Sequence, residues 1–286
     1  MNISQVYAVY FSATGNTRKV TTTLANALAV SFDVPLEVRD FTLPAAREEA
    51  YEFAAGDLVV FGMPTYAGKL PNKLLDFVKS GFHGNGALAV PVVTFGNRSF
   101  DNSLAELCAC LEGDGFHTVA GGAFACRHAF TDVLANGRPD SDDMAELAKL
   151  GSAVVGRIVR MTEYPAPVTV DGDADAPYYR PLGLDGEPKV FLKAKPKTDL
   201  DKCIRCGVCA SLCLMGSINP CASNATPACA TARWVRSIST IPRSSRTARC
   251  SNATTRAERR TRSSRRKKKV HKKALFGNPK RSFFHS

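Results

Sequence analysis

A short hydroxyl-rich segment near the start of the chain has the composition of a phosphate-binding turn. It reads Ser12-Ala13-Thr14-Gly15-Asn16-Thr17, and it follows an apolar run at 6–11. A helical pattern comes next, with Val20, Leu24 and Leu28 at every fourth position. A strand, a polar turn and a helix in this order place backbone N–H groups and a helix N-terminus around an anion. The alternative is an ordinary turn in which Thr14 or Asn16 only caps the helix.

Two later loops each place one aromatic residue after a predicted strand. The loop after the strand at 57–62 contains Pro64, Thr65, Tyr66, Ala67 and Gly68. The loop after the strand at 87–95 contains Gly96, Asn97, Arg98, Phe100 and Asp101. Two aromatic rings beside a phosphate turn suit a flat, partly apolar ring system, because stacking excludes water from its faces. Together the three segments predict a site for flavin mononucleotide (FMN).

Two residues near this site have alternative roles. Arg98 is suited either to stabilise negative charge on a reduced flavin or to form a surface ion pair. His128 follows the fifth predicted strand, and it either approaches the flavin edge or has a structural role in its loop. The residue types alone leave both questions open.

A cysteine run supplies a second set of residues with redox chemistry. Cys203, Cys206, Cys209 and Cys213 have the spacing C-x2-C-x2-C-x3-C, which is that of bacterial ferredoxins. Thiolates are the soft ligands that iron–sulfur clusters require. Zinc is the alternative metal, although zinc sites usually use two separated C-x2-C pairs. Three other cysteines occupy apolar segments and are interpreted as small core residues: Cys108, Cys110 and Cys126.

The elements that must position these residues alternate along the chain. Strands are predicted at 6–11, 36–41, 57–62, 87–95 and 118–124, with the second at a sheet edge and Pro91 indicating a bulge or a late strand start. Helices are predicted at 17–30, 45–54, 71–80, 101–112 and 140–163. This alternation indicates an α/β fold, a parallel sheet with helices on both faces. Ligands bind such sheets at the carboxyl ends of the strands, where the three predicted loops lie.

Charge is divided unevenly along the chain. The net charge is +12, but residues 1–220 hold 20 Lys and Arg against 25 Asp and Glu, whereas residues 221–286 hold 18 against one. The mildly acidic body gives no reason to expect nucleic acid as a partner. No signal peptide or membrane-spanning stretch is evident, so a cytoplasmic location without membrane association is expected.

The predicted FMN loops followed by a ferredoxin cysteine run resemble the EFR-family flavodoxin–ferredoxin fusion proteins, over about residues 3–220. The resemblance implies a flavodoxin-like five-stranded parallel sheet with FMN bound, followed by a module with two [4Fe–4S] clusters. It implies that Ser12, Thr14, Asn16 and Thr17 hold the phosphate and that Tyr66 and Phe100 flank the flavin ring. Backbone groups around Gly68, Gly96 and Asn97 would meet the polar edge of that ring. Cys203, Cys206 and Cys209 would ligate the first cluster.

The chain departs from that family after the first cysteine run. Leu214 replaces the proline that follows the fourth cysteine, and a second run is absent. We therefore predict an FMN domain at 1–163, a proline-rich linker at 164–198, a partial iron–sulfur module at 199–220 and a basic, low-complexity, disordered tail at 221–286. We interpret this tail as coding sequence read out of frame or as an otherwise damaged end.

The predicted function is electron transfer that couples flavin and iron–sulfur redox steps, with redox proteins or small electron acceptors as partners. The alternative is an NAD(P)H-dependent quinone or FMN reductase of the flavodoxin-like class. An electron carrier needs no side chain that acts as an acid or a base, so no catalytic residue is assigned.

Overall fold

The computed structural model describes residues 1–131, 133–188 and 203–211, and the backbone of residues 283–285. The chain divides into two units, Met1–Lys189 with Pro279–Ser286, and Val190–Asn278. The strands of the first unit are β1 Gln5–Tyr10, β2 Leu36–Asp40, β3 Tyr51–Glu52, β4 Asp57–Pro64, β5 Phe82–His83, β6 Leu88–Phe95, β7 His117–Thr118, β8 Gly121–Ala125 and β9 Phe283–His285. Its helices are α1 Asn16–Phe32, α2 Leu75–Ser80, α3 Ser103–Gly113 and α4 Ser141–Arg160, with a 3₁₀ turn at Pro44–Arg47. Helix α5, Val208–Ser211, lies in the second unit.

The main sheet has the strand order β2-β1-β4-β6-β8, and neighbours in this series are parallel. The predicted parallel sheet is therefore confirmed, with β2 at the edge as expected. Two short strands extend it: β7 pairs with β6, and β9 pairs with β8 in the antiparallel direction. The chain passes from β1 outward to β2 and then returns to the other side of β1 as β4. This reversal creates a crevice at the carboxyl ends of β1 and β4, where sheets of this type bind ligands.

Helices cover both faces of the sheet. Helices α1 and α4 pack against each other and against β1, β4, β6 and β8. Their core includes Val20, Leu24 and Leu28, so the predicted helical periodicity is confirmed. Helix α3 packs against β6, β7 and β8, and α2 packs against α3. Near that second face lies a cluster of buried rings, in which the Phe61 and Phe82 centroids are 4.8 Å apart.

The helix predicted at 45–54 is wrong. A 3₁₀ turn is followed there by β3, which pairs in parallel with β5 as a separate two-stranded sheet. Aromatic packing explains the difference: the Tyr51 ring stacks on Phe82 at 5.2 Å, and Phe53 meets Tyr7 edge-on at 5.1 Å. Arg47 fixes the preceding turn by donating to the Phe41 carbonyl at 3.1 Å.

Pro91 lies inside β6 and coincides with a bulge in the neighbouring strand. Leu88 pairs with His117, whereas Val92 pairs with Gly122, so the neighbouring strand holds one extra residue in this interval. Proline has no N–H to donate to a ladder. Strand β6 nevertheless runs from Leu88 through Pro91 without a late start, and the extra residue lies between the partner strands β7 and β8.

The connector that follows α4 belongs to the first unit and packs against its other elements. Tyr164 stacks on His117 at 4.1 Å, and the Val168 amide donates to Thr118 Oγ1 at 2.9 Å. The end of the predicted linker, 189–198, lies outside the described residues. The predicted tail at 221–286 also lies outside them, except for the backbone of β9. In the described part of the chain, no helix is long and apolar enough to cross a membrane.

Candidate functional site

The three loops predicted to form a site meet at one edge of the sheet. Their strands are parallel neighbours, so the carboxyl ends lie side by side. Thr17, at the start of α1, has its Oγ1 2.8 Å from Thr94 Oγ1 near the end of β6. The Asn102 amide donates to the Gly68 carbonyl at 2.9 Å, which joins the loop after β6 to the loop after β4. The structure thus brings together the segments that the sequence singled out.

The turn between β1 and α1 presents backbone to solvent. Gly15 caps α1 with a left-handed φ of +84°, and no side chain caps the helix at this position. Nothing lies within 4 Å of the point where a Gly15 Cβ would stand. Ala13 and Thr14 are exposed. The first N–H groups of a helix have no partner within the helix, so this turn offers amide donors to an anion.

Ser12 stabilises the turn through two hydrogen bonds. It is buried, its amide donates to Thr42 Oγ1 at 2.9 Å, and its hydroxyl accepts from the Arg18 amide at 3.0 Å. The hydroxyl that satisfies an amide of the first helical turn is therefore that of Ser12. The alternative in which Thr14 or Asn16 caps the helix is not what the structure shows.

Asn16 and Thr17 use their side chains within the protein. Asn16 Nδ2 donates to the Arg127 carbonyl at 3.0 Å, and the buried Thr17 hydroxyl pairs with Thr94. Both residues lie in the first turn of α1. Both residues therefore lie at the predicted site, with their side chains already hydrogen-bonded to neighbouring loops.

The loop after β4 forms a tight hairpin. The Tyr66 amide donates to the Lys69 carbonyl at 2.8 Å, and the Lys69 amide donates to the Tyr66 carbonyl at 3.2 Å. Ala67 and Gly68 between them have φ values of +51° and +81°, so both adopt the left-handed conformation. Half-buried Pro64 and Thr65 lead into this hairpin, and the Thr65 hydroxyl lies 2.6 Å from Ser103 Oγ. Burial raises the pKa of Tyr66, so its phenol stays neutral.

The loop after β6 is held by an ion pair and by ring packing. Arg98 pairs with Asp101, which favours the surface ion-pair interpretation of this arginine. Half-buried Phe100 packs against Phe95 with a centroid distance of 5.8 Å. Asn97 and Asp101 both have positive φ values, +71° and +44°. The backbone of this loop is thus strained at two non-glycine positions.

His128 packs directly on Gly96. A Cβ on Gly96 would lie 2.5 Å from the His128 Cδ2 atom, so a larger residue does not fit there. His128 Nδ1 accepts from the Phe130 amide at 3.1 Å. Burial lowers the pKa of His128, so the imidazole is neutral at pH 7. These contacts favour the structural role in its loop.

A buried ion pair that sequence reasoning missed lies behind the Tyr66 hairpin. Lys69 and Glu106 are almost fully buried, and Lys69 Nζ lies 3.0 Å from Glu106 Oε1. The other carboxylate oxygen accepts from the Leu70 amide at 2.7 Å. Glu106 belongs to α3 and is distant from Lys69 in sequence, so no local pattern connects them.

The cysteines fall into two environments. Cys108, Cys110 and Cys126 are buried, and burial raises the pKa of each thiol to about 12, in agreement with their interpretation as core residues. In the second unit Cys203 is partly exposed, whereas Cys206 and Cys209 are exposed. The described residues contain no group of three His, Cys, Asp or Glu side chains arranged to hold a metal. Cys213 lies outside the described residues.

Comparison with known proteins agrees with the fold. Residues 7–94, from β1 into β6, match the family model described as "Flavodoxin domain". This segment includes the turn at 12–17 and the Tyr66 hairpin. None of the curated proteins matches the chain significantly. The chain thus contains a flavodoxin-like α/β domain with a parallel sheet.

Several solved structures are similar to part of the chain. A flavodoxin from the domain Archaea shares 17% identity and a TM-score of 0.37, covering 55% of this chain and 99% of its own. Flavodoxin 2 from Bacillus cereus shares 17% identity with a TM-score of 0.37, over 54% of this chain and 98% of its own. An NAD(P)H:quinone oxidoreductase from Methanothermobacter marburgensis shares 13% identity with a TM-score of 0.34, over 53% of this chain and 98% of its own.

Proposed function

We propose that the flavodoxin-like domain binds FMN at the carboxyl ends of β1, β4 and β6 and serves as an electron-transfer protein. The observation that carries the proposal is the exposed turn at the start of α1. Gly15 is left-handed and has open space beside it, so a ligand can approach the amides of this turn. Two neighbouring loops each carry an aromatic side chain.

The phosphate fits this turn without a basic side chain. The amides at 14–17, the exposed Thr14 hydroxyl and the positive end of the α1 dipole supply the attraction. Arg18 and Lys19 are exposed, and Lys19 Nζ donates to the Pro139 carbonyl at 3.3 Å. Ser12, Asn16 and Thr17 brace the turn through their side chains. The donor set is therefore neutral and preorganised.

The flavin ring is assigned to the space bordered by the Tyr66 and Phe100 loops. FMN, when bound, supplies one- and two-electron redox chemistry. The two aromatic side chains would exclude water from the ring, and backbone groups near Gly68, Gly96 and Asn97 would bind its polar edge. We assign no proton-transfer role to His128, whose Nδ1 accepts from the Phe130 amide, or to Arg98, which is paired with Asp101.

Cys203, Cys206 and Cys209 are proposed as iron–sulfur ligands, with Cys213 as the fourth cysteine of the run. The ferredoxin spacing and thiolate chemistry support this assignment. Since the described residues hold no converging metal-ligand group, we derive no electron-transfer step through a cluster. Iron and acid-labile sulfide in anaerobically purified protein test the assignment, and a chain that binds FMN but neither of these would refute it.

Substitution of Gly15 tests the FMN site. A Gly15→Val side chain would project from the turn and impose strain at φ +84°, so we expect FMN affinity to fall at least about tenfold. Gly186→Val is the matched control, because Gly186 also has a positive φ (+77°) and open space around it. Flavin fluorescence titration measures both. Equal affinity in the two variants would place the phosphate elsewhere.

One further assay separates carrier from reductase. An electron carrier reduced by a low-potential donor should show no rapid NAD(P)H consumption with a quinone. Fast turnover under these conditions would favour the reductase alternative.

A further inference from the structure

A segment of the connector lies on both loops that border the proposed flavin site. We call residues 172–179 the strap. The Tyr179 amide donates to the Ala67 carbonyl at 2.7 Å, and the Arg98 guanidinium lies over the Tyr179 ring at 4.3 Å. The Asp173 amide donates to Asn102 Oδ1 at 2.9 Å. The strap therefore joins the hairpin after β4 to the loop after β6.

The strap also satisfies a buried charge. The Lys69 ammonium donates to the carbonyls of Ala174 and Ala176 at 2.7 and 2.8 Å, in addition to its ion pair with Glu106. An ammonium group has three donors, so the strap accepts from two of them. The Tyr178 hydroxyl donates to the Leu70 carbonyl at 2.9 Å. Burial raises the pKa of Tyr178 to about 12, so this donor keeps its proton.

Close backbone approach fixes where the strap can lie. Gly172 has a φ of +120°, and a Cβ on it would stand 3.1 Å from the Asn102 Cα and from the Asp101 carbonyl oxygen. Even an alanine would therefore push the strap away from the loop after β6.

The two loops need such support because their backbones are strained. Ala67, Asn97 and Asp101 all have positive φ values without being glycine. Backbone in sparsely populated regions persists when surrounding contacts over-determine it. The strap donates hydrogen bonds to Ala67 and to Asn102 beside Asp101, and its Tyr179 ring contacts Arg98 beside Asn97.

We propose that the strap is a positioning element of the flavin site, and that its seating and the binding of FMN stabilise each other. Lys69, Gly172 and Tyr179 are the positioning residues, and none of them is assigned a contact with the flavin. The inference rests on the proposed FMN function. Coupling between two binding equilibria is reciprocal, so bound FMN should hold the strap as strongly as the strap favours FMN.

FMN titration of the full-length chain tests the first half of this coupling. Tyr179→Ala and Gly172→Ala should each weaken FMN binding by roughly fivefold or more, the lower end of typical coupling. Tyr179→Phe keeps the ring over Arg98 and should bind as the unaltered chain does. Tyr164→Ala and Gly186→Ala are controls on the same connector, away from both loops, and should leave FMN affinity unchanged.

Hydrogen exchange tests the reciprocal half. FMN should slow exchange of the Asp173 and Tyr179 amides in the unaltered chain, and this protection should be lost in Gly172→Ala. Melting temperatures that fall in Tyr179→Ala and Gly172→Ala with unchanged FMN affinity would show a merely structural role and overturn the inference. If the unaltered chain binds no FMN, the proposed function itself fails; if it binds FMN without protecting the strap, only the inference fails.

Discussion

The buried pair Lys69–Glu106 gives the sharpest prediction about stability. Both side chains are at most 8% exposed, and every donor of the Lys69 ammonium is used: one on Glu106 and two on backbone carbonyls. Lys69→Met removes these three bonds and leaves the Glu106 carboxylate buried with only the Leu70 amide as a partner. Breaking a buried pair by removing one partner costs about 3–5 kcal/mol. We expect a loss of free energy of unfolding in this range.

A double variant separates the pair from simple packing. In Lys69→Met with Glu106→Gln no uncompensated charge remains, and the glutamine oxygen can still accept from the Leu70 amide. We therefore expect the double variant to be more stable than Lys69→Met alone by about 1–3 kcal/mol. For Lys69→Met alone, the expected loss corresponds to a fall in melting temperature on the order of 6–20 °C for a domain of this size.

Urea unfolding monitored by circular dichroism measures these differences, with Lys149→Met as the control. Lys149 forms an exposed ion pair with Glu146, and such pairs contribute about 0–1 kcal/mol. A Lys69→Met variant that unfolds like the Lys149→Met variant would show that the buried pair contributes no more than an exposed one. A double variant no more stable than the single variant would show that the buried carboxylate is not the source of the loss.

Three further predictions concern other parts of the domain. Burial raises the pKa of Asp114 from 3.8 to about 6, so the folded state binds its proton more tightly than the unfolded state does. Its contribution to stability is thus present below pH 4 and lost as pH rises through 6, and Asp114→Asn should remove this part of the pH profile of urea midpoints. Gly62→Ala should destabilise the domain by about 1–3 kcal/mol, because its Cβ would stand 1.9 Å from Thr21 Oγ1. Gly113→Ala lies in open space at the end of α3 and should stabilise the domain by about 0.5–1 kcal/mol. Thermal melts of the two variants measure both effects. In iron-free folded protein at pH 8, iodoacetamide should label Cys203, Cys206 and Cys209 well before the buried Cys108, Cys110 and Cys126. Peptide mass spectrometry measures the order of labelling, and early labelling of the last three cysteines would contradict their burial.

The sheet could be predicted because its central strands β4 and β6 are buried on both faces. The apolar runs at β1, β4 and β6 have no alternating polar residues, which is typical of parallel strands between helix layers. The segment at 45–54 was mispredicted because tertiary contacts decide its conformation. Tyr51 stacks on Phe82, which is distant in sequence, so local periodicity cannot indicate that contact.

The site could be predicted in its location and only partly in its detail. Loops after parallel strands must meet at one edge, so the positions of Gly15, Tyr66 and Phe100 follow from the strand pattern. The directions of the Asn16 and Thr17 side chains depend on Arg127 and Thr94, which other strands supply. Docking of the strap could not be predicted, because its hydrogen bonds to and from backbone groups leave no pattern of side chains.

Binding of FMN by the flavodoxin-like domain can be measured directly. Purified protein is stripped of bound cofactor, titrated with FMN and separated from free flavin, and the absorption spectrum and released flavin are then measured. We expect the unaltered chain to retain equimolar FMN, and we expect Gly15→Val but not Gly186→Val to reduce flavin retention. A folded chain that retains no flavin in the presence of excess FMN would contradict it.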